Sequence, residues 1–153
     1  MKRSSVLLLL LPVSFLLASP AVQAQVPSNV ERIHYHRFDN NYAGWTAYAF
    51  NDTTEDTGNF NGGPVQVTGT DGFGAYFDVG LKANAQDLGF IIHLVNAKDP
   101  GPDQHVNPQT QGHEIWVISG STTIYTSQPV IPPPGPVAAN KERNHYHRFD
   151  NTY

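Results

Sequence analysis

A near-identical internal repeat constrains this chain more than any other feature. Residues 31–42 read ERIHYHRFDNNY and residues 142–153 read ERNHYHRFDNTY, the same residue at ten of twelve positions with an offset of 111. Chance does not produce that match. It implies a module of roughly 100 residues, a comfortable size for one domain, followed by the opening of a second copy. The second copy reaches only its first strand, as expected of a fragment of a longer tandem-module protein or the product of a truncated gene.

The segments around the module follow from composition. Gln128 to Val137 carries Pro129, Pro132, Pro133, Pro134 and Pro136, which favour extended polyproline conformation and a semi-rigid spacer. The start reads as an export signal: Lys2 and Arg3, then an apolar stretch from Val6 to Ala18 broken by Pro12 and Ser14, then small residues at Val22 and Ala24. That stretch is too short to span a bilayer comfortably. The expected layout is a signal peptide at 1–24, a module at 25–127 folded from about residue 29, a linker at 128–141, and the truncated second copy at 142–153. A lone copy of that length cannot bury an apolar face, so it is expected to be disordered or to add to an exposed sheet edge.

Charge and cysteine usage narrow the partners. The chain has no cysteine, hence no disulfide scaffold, thiolate metal site, cysteine nucleophile or lipid anchor after the signal. Removing Lys2 and Arg3 leaves 7 basic and 13 acidic residues, which argues against a nucleic-acid partner. A secreted or periplasmic monomer with no membrane partner after cleavage is expected.

No stretch keeps a helical period. Short runs rich in β-branched and aromatic residues alternate with Gly, Asn, Asp and Pro. Strands are predicted at Arg32–Phe38, Trp45–Phe50, Val65–Thr68, Gly74–Val79, Leu88–His93, Glu114–Ser119 and Thr122–Thr126. Asn96 to Asp103 reads as a polar loop. About seven short strands at this spacing point to an all-β, antiparallel, immunoglobulin-like sandwich.

The motifs carry little catalytic chemistry. His34 and His36 share a strand face and could ligate a metal with a third ligand from His93, His105, His113 or a carboxylate. No third ligand stands at a recognisable spacing, so no metal or other cofactor is assigned. Asp39-Asn40-Asn41 reads as a turn rather than a calcium site. No glycosidase carboxylate pair, phosphate-binding loop or Ser-His-Asp grouping stands out. On the strand from Trp45, the aromatics Tyr48 and Phe50 share one face and Ala47 and Ala49 the other. Exposed, they would make a platform for sugar rings. Pattern alone favours the core for them, since large aromatics are usually buried and alanine fills a core poorly.

Six motifs in order then match a known family: Arg32 to Arg37, Tyr42-Ala43-Gly44-Trp45, Thr68 to Val79, Leu88 to His93, Lys98 to Gln104, and Glu114-Ile115-Trp116-Val117. Over residues 30–127 the chain resembles the bacterial pullulanase-associated domain, carbohydrate-binding module family 41. The resemblance implies a β-sandwich that binds α-glucans such as pullulan, amylopectin, glycogen and malto-oligosaccharides. It implies two stacking aromatics at Tyr48 and Phe50, hydroxyl-binding groups at Lys98 and Asp103, and a structural role for Trp45. It also turns Tyr48 and Phe50 outward. The family commonly places Trp on the platform, so this chain offers a smaller stacking area. The implied function is noncatalytic, delivering a pullulanase-type glycoside hydrolase to its substrate. The rival reading is a structural or adhesive immunoglobulin-like module without a sugar site.

Overall fold

The computed structural model describes residues 25–56, 58–62 and 64–131; the expected leader, most of the linker and the second copy lie outside the described residues. Seven strands and one short helix follow in order: β1 (Val30–His36), β2 (Trp45–Asn51), β3 (Gly69–Thr70), β4 (Ala75–Gly80), β5 (Leu88–Leu94), β6 (Ala97–Val106), α1 (Pro108–Gln111) and β7 (Glu114–Ile118). They form two sheets, one ordered β3-β4-β1-β7 and the other β2-β5-β6. This is the expected all-β sandwich, with one pairing of the opposite sense.

That exception is β1 with β7, which run parallel with Arg32 opposite Glu114 and His36 opposite Ile118. Parallel neighbours need a crossover connection rather than a hairpin. Here β6 and α1 supply it, since β6 lies in the other sheet and α1 carries the chain across. Asn107 caps α1 by accepting from the Gln109 N–H at 2.9 Å, and Pro108 occupies the first turn, where its missing N–H costs nothing.

The core follows from strand alternation. Ile33 and Tyr35 on β1, Ala75, Phe77 and Val79 on β4, and Ile115 and Val117 on β7 face Ala47 and Ala49 on β2, Leu88, Phe90 and Ile92 on β5, and Val106 on β6. The Gly-Trp pair sets the start of β2. Gly44 has φ of +77° in a turn closed by the Trp45 N–H on the Tyr42 carbonyl at 3.2 Å.

Several sequence expectations are corrected. Asn96 to Asp103 is no loop, because most of it lies in β6, paired with β5. Predicted strand Val65–Thr68 shrinks to one bridge between Val65 and Ala47, with β3 just beyond it. Predicted strand Thr122–Thr126 shrinks to a bridge between Tyr125 and Trp116. Both runs have β propensity but lie along sheet edges, where only one neighbour can pair with them. The Asp39-Asn40-Asn41 turn is present, with Asn40 at φ +52° and the Asp39 carboxylate accepting the Asn41 N–H at 3.0 Å.

On the outer face of the larger sheet, His34 lies flat on Trp116, ring centres 4.8 Å apart and planes within 4°. Its Nε2–H donates to Glu114 at 2.8 Å, and Nδ1 is 2.7 Å from Asp71, too poorly aligned for a hydrogen bond. His36 Nδ1 bonds the Phe73 carbonyl at 2.6 Å. Among the described residues no group of three or more His, Cys, Asp and Glu is placed to hold a metal ion.

One core position conflicts with the apolar pattern. Glu31 is fully buried, and neither carboxylate oxygen has a hydrogen-bond partner; the nearest cationic candidate, His113 Nδ1, stands 3.9 Å away. Burial, with a further contribution from Glu114, pushes its carboxyl up to about 8 from 4.5. The folded protein therefore holds a proton that the unfolded chain releases from about pH 4.5 upward. Stability is expected to fall as pH rises from 4.5 to 8, by at most about 1.4 kcal/mol per pH unit, and then to level off. Urea unfolding at pH 5, 6.5 and 8 should show this slope, and Glu31→Gln should flatten it.

Candidate functional site

The outer face of the β2-β5-β6 sheet gathers aromatic and polar side chains. Ala47 and Ala49 are buried, whereas Tyr48 and Phe50 are half-buried on the opposite face of β2. The pattern-based expectation that these aromatics fill the core is thus corrected. The facing sheet brings Tyr35 and Phe77 into the core, and small side chains on β2 complement such bulk.

Register and a glycine set the two rings. Tyr48 stands opposite Ile91 on β5 and Phe50 opposite Gly89. Directly opposed residues share a face, so Ile91, buried but outside the inter-sheet core, supplies an apolar floor beside Tyr48. A Cβ on Gly89 would come within 2.2 Å of the Phe50 ring, so only glycine lets that ring settle against the sheet. The ring centres of Tyr48 and Phe50 are 5.7 Å apart, with planes 22° from parallel. The Tyr48 hydroxyl donates to Asp56 at 3.2 Å; desolvation and this bond raise its pKa. Asp56 is held low first by the Gly58 N–H, which donates to it at 2.7 Å.

Lys98 and Asp103 are brought together by an irregularity in β6. Asp99 pairs with Ile92 and Gln104 with Phe90, so the four residues 100–103 stand opposite Ile91 alone. Lys98 and Asp103 stand on either side of this bulge, and Lys98 Nζ donates to Asp103 Oδ1 at 2.7 Å. Both side chains are exposed enough to meet a ligand.

The residue between them anchors the bulge. Asp99 points inward and accepts from the Tyr35 hydroxyl, from Ser119 Oγ at 2.5 Å and from the Gly120 N–H at 2.6 Å, with the Arg37 guanidinium 3.8 Å away. Burial, followed by the bond to Asp99, holds the Tyr35 phenol far above its usual range. Tyr35 also packs near Trp45, whose ring lies 4.3 Å under the Arg37 guanidinium. Trp45 is half-buried against the core.

Sequence reasoning missed Phe60. It comes from the connection between β2 and β3 and stands nearly upright to Tyr48, at 5.9 Å and 78°. It packs on His93 at 4.3 Å and lies 5.7 Å from Lys98 Nζ. Phe60 thus joins the ring pair to the charged pair. A lone aromatic between Asn59 and Asn61 in a Gly- and Asn-rich connection was the available signal. Beneath it, His93 Nδ1–H donates to the Val95 carbonyl at 2.9 Å, and its Nε2 is hydrogen-bonded with the Thr46 hydroxyl at 3.0 Å. At the other side of the platform, His105 stands edge-on to Phe50 at 5.5 Å and pairs with Asp87 at 2.7 Å. Asp87 is held in turn by Asn51 Nδ2 at 2.8 Å.

Comparison with known proteins covers most of this fold. A family model described as the bacterial pullanase-associated domain matches residues 29–126. An α-amylase of Streptomyces lividans is 36% identical over 72 residues, covering 47% of this chain and 8% of the enzyme. Among solved structures, family 41 carbohydrate-binding modules from streptococcal virulence factors, studied for α-glucan recognition, superpose with a TM-score of 0.61 at 22% identity, covering 68% of this chain and 50% of theirs. A Klebsiella pneumoniae pullulanase complexed with maltotriose gives 0.57 at 21% identity, over 69% of this chain and 11% of the enzyme. At these identities the superpositions show the shared fold.

The two kinds of residue at this face should separate in a stability assay. Tyr48→Ala removes a half-buried ring outside the core and is expected to cost about 1 kcal/mol. Asp99→Ala leaves Tyr35, Ser119 and Gly120 without their acceptor and should cost about 3 kcal/mol or more. Urea unfolding of both variants measures the difference.

Proposed function

We propose that this chain, which belongs to the pullulanase-associated domain family, is a noncatalytic module that binds α-glucans on the outer face of β2, β5 and β6. The observation that carries the reading is the Tyr48–Phe50 ring pair, half-exposed and near parallel at 5.7 Å, with the Lys98–Asp103 pair linked to it through Phe60. Pyranose rings have apolar C–H faces and a polar rim. Two adjacent aromatic rings offer stacking surface for two sugar units, and charged groups beside them fix the hydroxyls.

The chemistry divides by residue. Tyr48 and Phe50 carry the stacking. Lys98 donates to a hydroxyl oxygen and Asp103 accepts a hydroxyl proton. Without sugar these two satisfy each other at 2.7 Å. A hydroxyl both donates and accepts, so it can sit between them without leaving either charge unpaired. Tyr and Phe rings in place of Trp give a smaller contact and hence weaker binding per ring.

The ligand class is pullulan, amylopectin, glycogen and malto-oligosaccharides. The matched relatives are much longer proteins: the chain covers 8% of the Streptomyces α-amylase and 11% of the Klebsiella pullulanase. Attached to a pullulanase-type hydrolase, the module would keep the catalytic site near its polymer and raise the local substrate concentration. Residues 1–24 would direct the protein to the periplasm or the medium.

Native affinity electrophoresis tests the reading. The chain should be retarded in gels containing pullulan and not in gels without it. Tyr48→Ala and Phe50→Ala should each weaken retardation about threefold to tenfold, the effect of losing roughly 0.5–1.5 kcal/mol of ring stacking. Lys98→Ala should weaken it by a similar factor. A folded chain that runs alike in both gels would overturn the reading and leave a structural immunoglobulin-like module.

A further inference from the structure

Strand register arranges the outer face of β2, β5 and β6 in rungs. One rung joins Tyr48, Ile91 and the bulge that ends at Asp103; the next joins Phe50, Gly89 and His105. Directly opposed residues share a face, and successive rungs on it lie about 7 Å apart along the strands. The polar groups of β6 therefore form a row beside the aromatic row of β2. The Lys98–Asp103 pair stands beside Tyr48, and His105 stands beside Phe50.

The second rung holds the imidazole in a fixed place. Gly89 has no side chain, so the rings of Phe50 and His105 meet over it, 5.5 Å apart and 87° from parallel. His105 Nδ1 is hydrogen-bonded to Asp87 Oδ1 at 2.7 Å, and Asn51 Nδ2 donates to Asp87 Oδ2 at 2.8 Å. The backbone of Asp87 is held as well. Its N–H donates to the Asp52 carboxylate at 3.0 Å, and its carbonyl accepts from the Asp52 N–H at 3.2 Å. The side chains of His105 and Asp87 are both about half-exposed, where such a pair contributes little stability. What the contact does is orient the ring. Asp87 takes Nδ1, so Nε2 is the nitrogen left to meet a ligand.

We infer that His105 is a further hydroxyl-binding group of the α-glucan site, serving the sugar unit stacked on Phe50 as Lys98 and Asp103 serve the unit stacked on Tyr48. The inference rests on the glucan-binding reading of this face. A pyranose lying on Phe50 turns its hydroxyl rim sideways, and the residue between Phe50 and His105 on β5 is a glycine, which puts no side chain in the way. A hydroxyl both donates and accepts, so it can bond Nε2 whichever form the ring takes. With a polar partner beside each of the two stacking rings, the face engages two adjacent glucose units rather than one.

Affinity electrophoresis of the full chain over a series of pullulan concentrations yields a dissociation constant for each variant. His105→Ala should weaken binding about threefold to tenfold. His105→Phe should weaken it as much, since phenylalanine keeps a ring against Phe50 but has no nitrogen. His105→Gln restores a hydrogen-bonding group and should stay within about twofold of the unsubstituted chain. All three should melt within about 4 °C of it, because a half-exposed pair adds little to stability. Full binding by His105→Phe would show ring packing at work in place of a hydrogen bond, and would overturn the inference. So would full binding by His105→Ala in a series where Tyr48→Ala is weakened, an outcome that leaves the glucan-binding reading standing. If the unsubstituted chain is not retarded by pullulan at all, that reading fails and the role of His105 falls with it.

Discussion

The face that carries the candidate site depends on one half-buried carboxylate. Asp99 lies on β6, yet its partners are Tyr35 on β1 of the opposite sheet and Ser119 and Gly120 in the turn just beyond β7. It is therefore a polar tie across an apolar sandwich. Its charge is tolerated there because its oxygens are hydrogen-bonded. Its neighbours in sequence gain from this rigidity. Lys98 precedes Asp99 and points the other way, and the bulge that follows ends at Asp103. The geometry of the charged pair on the surface is thus fixed from the interior.

The aromatic half of the face has a different origin. It rests on volume rather than on hydrogen bonds. Ala47 and Ala49 are inward because the facing sheet already supplies Tyr35 and Phe77, and the pleat then has no choice but to send Tyr48 and Phe50 outward. Gly89 completes the arrangement by leaving space against β5 for the Phe50 ring. The two halves meet at Phe60, which belongs to neither strand and touches both. A surface assembled this way combines apposed rings with polar groups that are already paired, so little reorganisation would precede the proposed sugar binding.

Much of the fold was legible along the chain. β1, β2, β4, β5 and β7 were found within a few residues of their bounds, since each alternates or runs apolar between clear turn signals. β6 was not. Lys98-Asp99-Pro100-Gly101-Pro102-Asp103 has the composition of a turn, and only pairing with β5 on both sides of the bulge makes it a strand. Tyr48 and Phe50 were named from the family resemblance against the grain of the local pattern, which treats alanine as too small to be interior. Phe60 was missed because its neighbours in space, Tyr48 and His93, are distant in sequence.

By itself the sequence determined the strand periods, through side-chain alternation that needs no partner to be read, and it carries a repeat at an offset of 111. It determined the identity of the family as well, because ordered motifs survive as a linear pattern. Only the tertiary structure decided which face of β2 is the interior, that β1 and β7 run parallel, that Glu31 is buried without a partner, and that Lys98 meets Asp103. Each of these depends on the volume or polarity of side chains from another strand, and a strand's own alternation is symmetric until the opposite sheet chooses one of its faces.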